Sequence, residues 1–178
     1  PRHRAVKGAV RSFVDCLLEL FVRHPEAKTS VSPNNIFVIE DGERCQCLLV
    51  DTGPLVALAN KRDKYHQECS VFLANYRGRL LTTWAVLTEF SHLASSVDAT
   101  LALYQWIERG GMEVATLGRD ELVSTIDWIT RYADRPMDLA DASLVVTAIK
   151  TGCTDVWTLD RADFETYRLP GRKRFRLA

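Results

Sequence analysis

Neither sign of charge predominates in this 178-residue sequence: Lys and Arg together number 23, and so do Asp and Glu. A global positive field is therefore excluded as the means of holding nucleic acid. Any such contact must come from a local patch or a bound cation. That weighs against an architectural DNA binder and is neutral toward a metal-dependent nuclease. Long hydrophobic runs are missing too, for nothing approaches the roughly 18 apolar residues of a membrane span. No signal peptide is legible, although the chain starts at Pro1 and a segment before it is not excluded. Cysteine is sparse and irregular. Cys16, Cys45, Cys47, Cys69 and Cys153 make an odd set, and one residue between Cys45 and Cys47 is not a zinc spacing. Reduced, buried and inert thiols in a cytoplasmic protein are expected. Internal repeats and low-complexity tracts are absent.

What is present is a core. Hydrophobic residues make up 47% of the chain, enough to fill one domain, or one domain plus an appendage. From Cys47 onward short apolar runs alternate with helical patterns. "CLLV" (47–50) reads as a strand ending in Asp51, and "TGPLVALAN" as a helix with Pro54 in its first turn. "KYHQECSVFLANYRG" reads as a helix stopped by Gly78, and "RLLTTW" as a second strand. "AVLTEFSHLASS" is a helix with Val86, Phe90 and Leu93 on one side. "ATLALYQWIERGG" is another, closed by Gly110 and Gly111. "MEVATL" gives a third strand and "RDELVSTIDWITRYAD" a helix. "RPMDLADASLVVTAIKTG" follows as a buried helix, and "CTDVWTL" is a fourth strand running into Asp160. Strands separated by helices predict right-handed crossovers and a mainly parallel sheet covered on both faces.

Residues 1–46 have a different texture. Val6, Val10, Phe13, Val14, Leu17 and Phe21 form one helical stripe that needs burial. "HPEAKTSVSPNN" reads as a linker. Asp41-Gly42 between two apolar runs is a hairpin signal. The expected division is an N-terminal extension over 1–46 and one α/β domain over 47–178.

In a parallel α/β sheet, ligands sit beyond the carboxyl ends of the strands. Asp51 and Asp160 fall at such ends. Asp141 falls in the first turn of the helix before the fourth strand, and Glu89 one and a half turns into the helix after the second. Four carboxylates from distant parts of the chain can thus share one rim. Close carboxylates either take up protons or recruit a cation, and all-oxygen donors suit Mg²⁺ or Mn²⁺ rather than zinc. Plainer roles exist for each. Asp138, three residues before Asp141, stands where a helix cap belongs. Asp51 and Asp160 can serve as turn or strand-end residues, and Glu89 can be solvated. His66 and His92 read as surface or core residues rather than ligands. The tail "RLPGRKRFR" (168–176) has five basic residues and no acid. It is either a solvated, partly strand-like end or a contact for RNA phosphates. Lys61, Arg62 and Lys64 form a second such patch, and Trp84, Trp106, Trp128 and Trp157 are expected in the core.

Four blocks in order, "LLVDTGPLVALAN", "TTWAVLTEF", "MDLADASLVVTAIKTG" and "VWTLDRADF", resemble the PIN-domain family, and most of all the VapC-like ribonuclease toxins of type II toxin–antitoxin modules. The resemblance spans roughly residues 47–178. It implies a three-layer α/β/α sandwich and a Mg²⁺- or Mn²⁺-dependent endoribonuclease. Position by position it makes Asp51, Glu89, Asp141 and Asp160 the catalytic, metal-holding acids. Asp138 and Asp163 follow as secondary acids, and Thr52 and Thr158 as hydroxyls supporting the site. It further implies RNA hydrolysis leaving a 5′-phosphate and a 3′-hydroxyl, a cognate antitoxin as partner, and a homodimer, with no membrane role. Residues 1–46 are a departure, since such toxins usually begin almost at the first strand. A PIN-type RNA-processing nuclease without a toxin role, or a non-catalytic binding module, would share these blocks. A phospho-acceptor receiver domain would need a pair of acids after its first strand, where "LLVDTGP" offers one.

Overall fold

A computed structural model describes residues 47–135 and 137–178. The amphipathic stripe, linker and hairpin turn expected within 1–46 lie outside the described residues. Five strands form one sheet in the order β3-β2-β1-β4-β5: β1 (Cys47–Val50), β2 (Arg79–Thr83), β3 (Glu113–Ala115), β4 (Asp155–Trp157) and β5 (Arg176–Leu177). Every pairing is parallel, with Leu49 opposite both Leu81 and Val156. β1 lies in the middle, and Leu48, Leu49 and Val50 are almost wholly buried, as a strand covered on both faces requires. The chain runs outward from β1 to β3, then returns past β1 to β4 and β5. Right-handed crossovers therefore place helices on both faces, and the order reverses between β1 and β4. The crevice lies beyond the carboxyl ends of those two strands.

Among the described residues seven α-helices surround the sheet: α1 (Thr52–Ala59), α2 (His66–Asn75), α3 (Trp84–Leu93), α4 (Val97–Glu108), α5 (Arg119–Arg131), α6 (Leu139–Thr151) and α7 (Arg161–Thr166). Their starts follow from short polar side chains. Thr83 accepts from Val86 N–H at 3.3 Å, Ser96 from Ala99 N–H at 3.2 Å, and Asp138 from Asp141 N–H at 2.8 Å. At α5 the Glu121 carboxylate accepts from Gly118 N–H at 2.7 Å. Helix α6 is the central one: Leu144 and Val145 are fully buried, and Gly152 at φ +73° ends it in the left-handed conformation. The sheet edges are tied by bidentate ion pairs, Arg79 to Glu113 across β2–β3 and Arg176 to Asp155 across β4–β5.

Some local expectations hold and others are corrected. The tail does contain a strand, β5, which extends the sheet beyond β4. Helix α2 ends at Asn75, three residues before Gly78. Strand β4 stops at Trp157, so Asp160 stands three residues past the strand, at the start of α7. Trp84 is 65% exposed, because it is the first residue of α3 and faces away from the side on which Val86 and Phe90 are buried. Leu93 lies on the stripe of Val86 and Phe90 but is the final residue of α3. Ala94 leads the chain off in an extended conformation, and Leu93 stays exposed. Cys69 and Cys153 are buried, Cys47 is half-buried, and the neighbouring Cys153 together with burial pushes the Cys47 thiol up.

Candidate active site

Asp51 anchors the site. It leaves β1 as the N-cap of α1, its own N–H donates to Trp157 O at 3.0 Å, and only 7% of its surface is exposed. Both carboxylate oxygens are engaged. Oδ1 accepts from Thr52 N–H at 2.7 Å, and Oδ2 accepts from the Thr158 hydroxyl at 2.7 Å. Thr158, in the loop after β4, also accepts from Asp160 N–H at 2.9 Å, so one hydroxyl fixes Asp51 and the turn that carries Asp160. The Thr52 hydroxyl donates to Glu89 Oε2 at 2.5 Å and brings the acid of α3 to the same rim. Gly53 lets the start of α1 lie close against the loop after β4, since a Cβ there would stand 3.2 Å from Leu159 Cβ. The four residues Asp51, Thr52, Thr158 and Glu89 form one web across three chain segments.

Asp141 enters from α6. It is half-buried, and its Oδ2 accepts from the Tyr167 hydroxyl at 2.8 Å. Asp138 is exposed and spends one carboxylate oxygen on capping α6, the role its position predicts. The buried hydroxyls of Thr83 and Ser143 meet at 2.6 Å and lock the starts of α3 and α6 together, which sets Glu89 and Asp141 relative to each other. Asp160 is exposed, and Asp163, one turn into α7, is half-buried.

The acids feel each other. Burial, against the pull of its hydrogen bonds from Thr158 and Thr52, pushes Asp51 up to about 6, with Glu89 and Asp138 adding to the rise. Burial pushes Asp141 up to about 7, against the Tyr167 hydrogen bond, with Asp138, Asp51 and Asp163 adding. Asp163 is raised as well, by burial and then by Asp160, while Arg135 draws it down. Asp51, Glu89, Asp138, Asp141 and Asp163 therefore share one negative field, and Asp160 joins it through Asp163. Among the described residues no three His, Cys, Asp or Glu side chains form a ready coordination shell. The carboxylates instead rest on hydroxyl and amide donors. Their chemistry nevertheless fits a hard divalent cation: the donors are all oxygen, and a cation would offset the burial that chiefly raises Asp51 and Asp141 and the repulsion that adds to it. His66 hydrogen-bonds to Ala57 O at 2.9 Å, and His92 is exposed on the last turn of α3.

Sequence reasoning missed Tyr167 and Ser143. Tyr167 is 1% exposed, in edge-to-face contact with Phe164 and Tyr132, and burial and Asp141 hold its phenol well above the ordinary tyrosine range. The spacing Phe164-x-x-Tyr167 signals an apolar face but says nothing of where the hydroxyl points.

The PIN domain family profile matches residues 48–168. Among curated proteins, ribonuclease VapC26 of Mycobacterium tuberculosis (strain ATCC 25618 / H37Rv) is 29% identical over 131 residues, which cover 72% of this chain and 97% of VapC26. Among solved structures, Mycobacterium tuberculosis VapC20, a sarcin-ricin loop cleaving toxin, superposes with a TM-score of 0.57 at 21% identity. It covers 65% of this chain and 93% of its own, a likeness of fold.

Proposed function

This chain belongs to the PIN domain family, and from that premise we propose that it is a metal-dependent endoribonuclease, the toxin of a type II toxin–antitoxin module. The observation that carries this reading is the buried Asp51 carboxylate at the β1/β4 crevice, raised by burial and by the acids around it. The resemblance to a ribonuclease along nearly that protein's whole length supports the reaction class. The nuclease unit is residues 47–178, with 1–46 an extension to it.

Asp51, Asp141 and Asp160 would hold Mg²⁺ or Mn²⁺, with Glu89 completing the site. Such an ion, when bound, supplies charge stabilisation at the phosphate and makes water a better nucleophile. The protein's own contribution is positioning. Thr52 and Thr158 fix both oxygens of Asp51, Tyr167 fixes Asp141, and the Thr52 hydroxyl aims Glu89 at the same opening. Glu89 orients the attacking water. Water adds to phosphorus as the P–O3′ bond breaks, leaving a 5′-phosphate and a 3′-hydroxyl. The reading also carries a cognate antitoxin that covers the site, a homodimer, and a cytoplasmic location; among the described residues no helix is long and apolar enough to cross a membrane.

The test is incubation with transfer, ribosomal and messenger RNAs in Mg²⁺, Mn²⁺ or EDTA, followed by end-group analysis. Metal-dependent fragments with 5′-phosphates are expected. A folded, metal-supplied protein that leaves all three RNA classes intact would overturn the reading.

A further inference from the structure

The acid pocket repels the polyanion it is read as cutting, and the chain has no net charge to offset this. Attraction has to be local. Beside α7 lies a cleft of about 590 Å³ whose lining includes Arg135, Arg161, Arg174, Glu165 and Thr166, with Phe175 as an apolar wall. Three arginines and one glutamate thus line it. None of the three arginines forms an ion pair among the described residues. Arg135 Nη1 donates to the Thr166 hydroxyl at 2.9 Å and Arg161 Nη1 reaches Ala178 O at 3.4 Å, which orients both side chains and leaves most of their N–H donors for a ligand. Phe175 is buried against Phe164 at a centroid distance of 5.3 Å, so the wall is fixed.

The cleft adjoins the acids along one element. Arg161 directly follows Asp160, and Arg135 is near enough to Asp163 to lower its pKa. The arginines come from the α5–α6 connection, from α7 and from the run before β5, three segments that the sequence does not link. We propose that this cleft is a backbone subsite, binding phosphodiester groups of the single-stranded RNA that flanks the scissile bond. Arginine suits this task because its planar fork meets two phosphate oxygens at once. Charge rather than base-reading groups dominates the lining, so the subsite positions the strand without selecting its sequence. The inference rests on the ribonuclease reading of the neighbouring acids.

The experiment measures affinity of a single-stranded RNA for the full chain carrying Asp51→Asn, in Mg²⁺, between 50 and 200 mM salt. The comparison is the same protein with Arg161→Gln and Arg174→Gln. Loss of two phosphate contacts lowers the salt slope by about 1.4, so fourfold more salt costs the parent roughly sevenfold more affinity than the variant. The double lysine variant keeps the slope, which separates lost charge from lost fold. In the catalytically intact chain, the glutamine pair raises KM for a long RNA and leaves turnover of a dinucleotide unchanged. An unchanged slope and unchanged KM in a chain that still cleaves RNA would overturn the subsite while sparing the nuclease reading. A chain with Asp51 intact that cleaves no RNA, beside a slope difference in the binding assay, would do the reverse. Arginine-dependent binding of an acidic peptide with no effect on RNA would make the cleft a protein-docking surface and refute the proposal.

Discussion

The two flanks of the acid pocket are built differently. On the Asp51 flank both oxygens of Asp51 and one of Glu89 have a named donor, the threonines are buried, and the segments are locked to one another. On the Asp160 flank the acid is exposed, sits at the start of a six-residue helix, and has arginines for neighbours. Burial first, and then the neighbouring acids, raise Asp51, which suits the first flank to the proposed cation. The second flank is open and mixed in charge, suited to admitting a phosphate chain. On the proposed function, the division puts rigidity beside the reacting phosphate and access where the RNA strand would enter.

The largest break in this contrast comes from Asp51→Asn. The amide keeps the shape and removes the central charge, and RNA cleavage should fall by at least about a hundredfold. The same change should not lower the melting temperature in EDTA at pH 8, because it removes an ionised group that burial disfavours. A large drop in melting temperature would mean that Asp51 is chiefly a structural cap.

Acidity is the second test. Asp51 and Asp141, raised to about 6 and about 7, bind more protons in the folded chain than in the unfolded one, where carboxylates titrate near 4. Stability of the metal-free protein should therefore be full below about pH 4 as far as these groups are concerned. It should fall as pH rises through 7, by a few kcal/mol in all, on the order of the combined shifts. Urea unfolding in EDTA at pH 5 and pH 8 measures this, and Mg²⁺ should narrow the difference by stabilising the charged forms.

Much of this architecture is legible in the residue order. Asp138 at a cap position, the apolar β1 and β4, and an acid after β1 follow from local chemistry, and so does the parallel sheet from alternating patterns. Other features depend on contacts between distant segments. Nothing near Tyr167 says that its hydroxyl meets Asp141, 26 residues earlier, and nothing near Thr83 announces Ser143, 60 residues away. The tail shows the same limit. Its basic residues are evident, but only the pairing of β5 with β4 divides them, with Arg176 committed to Asp155 and Arg174 turned to the cleft. Trp84 misleads because hydrophobicity alone does not reveal which face the first residue of a helix presents.

Thr158→Val comes next in size. It removes the donor to Asp51 and the acceptor of Asp160 N–H at a site 1% exposed, so about 1–3 kcal/mol of stability should be lost. Metal affinity should weaken about 10- to 100-fold, readable by calorimetry. Tyr167→Phe is milder. It keeps the ring contacts and removes one hydrogen bond, costing about 1 kcal/mol and letting Asp141 rise further, so the acid limb of the cleavage–pH profile should move to higher pH. The smallest structural effect belongs to Asp160→Asn on the open flank, where the unfolding free energy from urea titration should be unchanged within about 0.5 kcal/mol while cleavage still suffers.

The central claim is that raised carboxylates and a divalent cation form one device. Calorimetric titration with Mn²⁺ at pH 6.5, repeated in two buffers of different ionisation heat, tests it most directly. Binding should release protons, with both binding and release diminished in Asp51→Asn. Binding without proton release, or equal binding by Asp51→Asn, would contradict it.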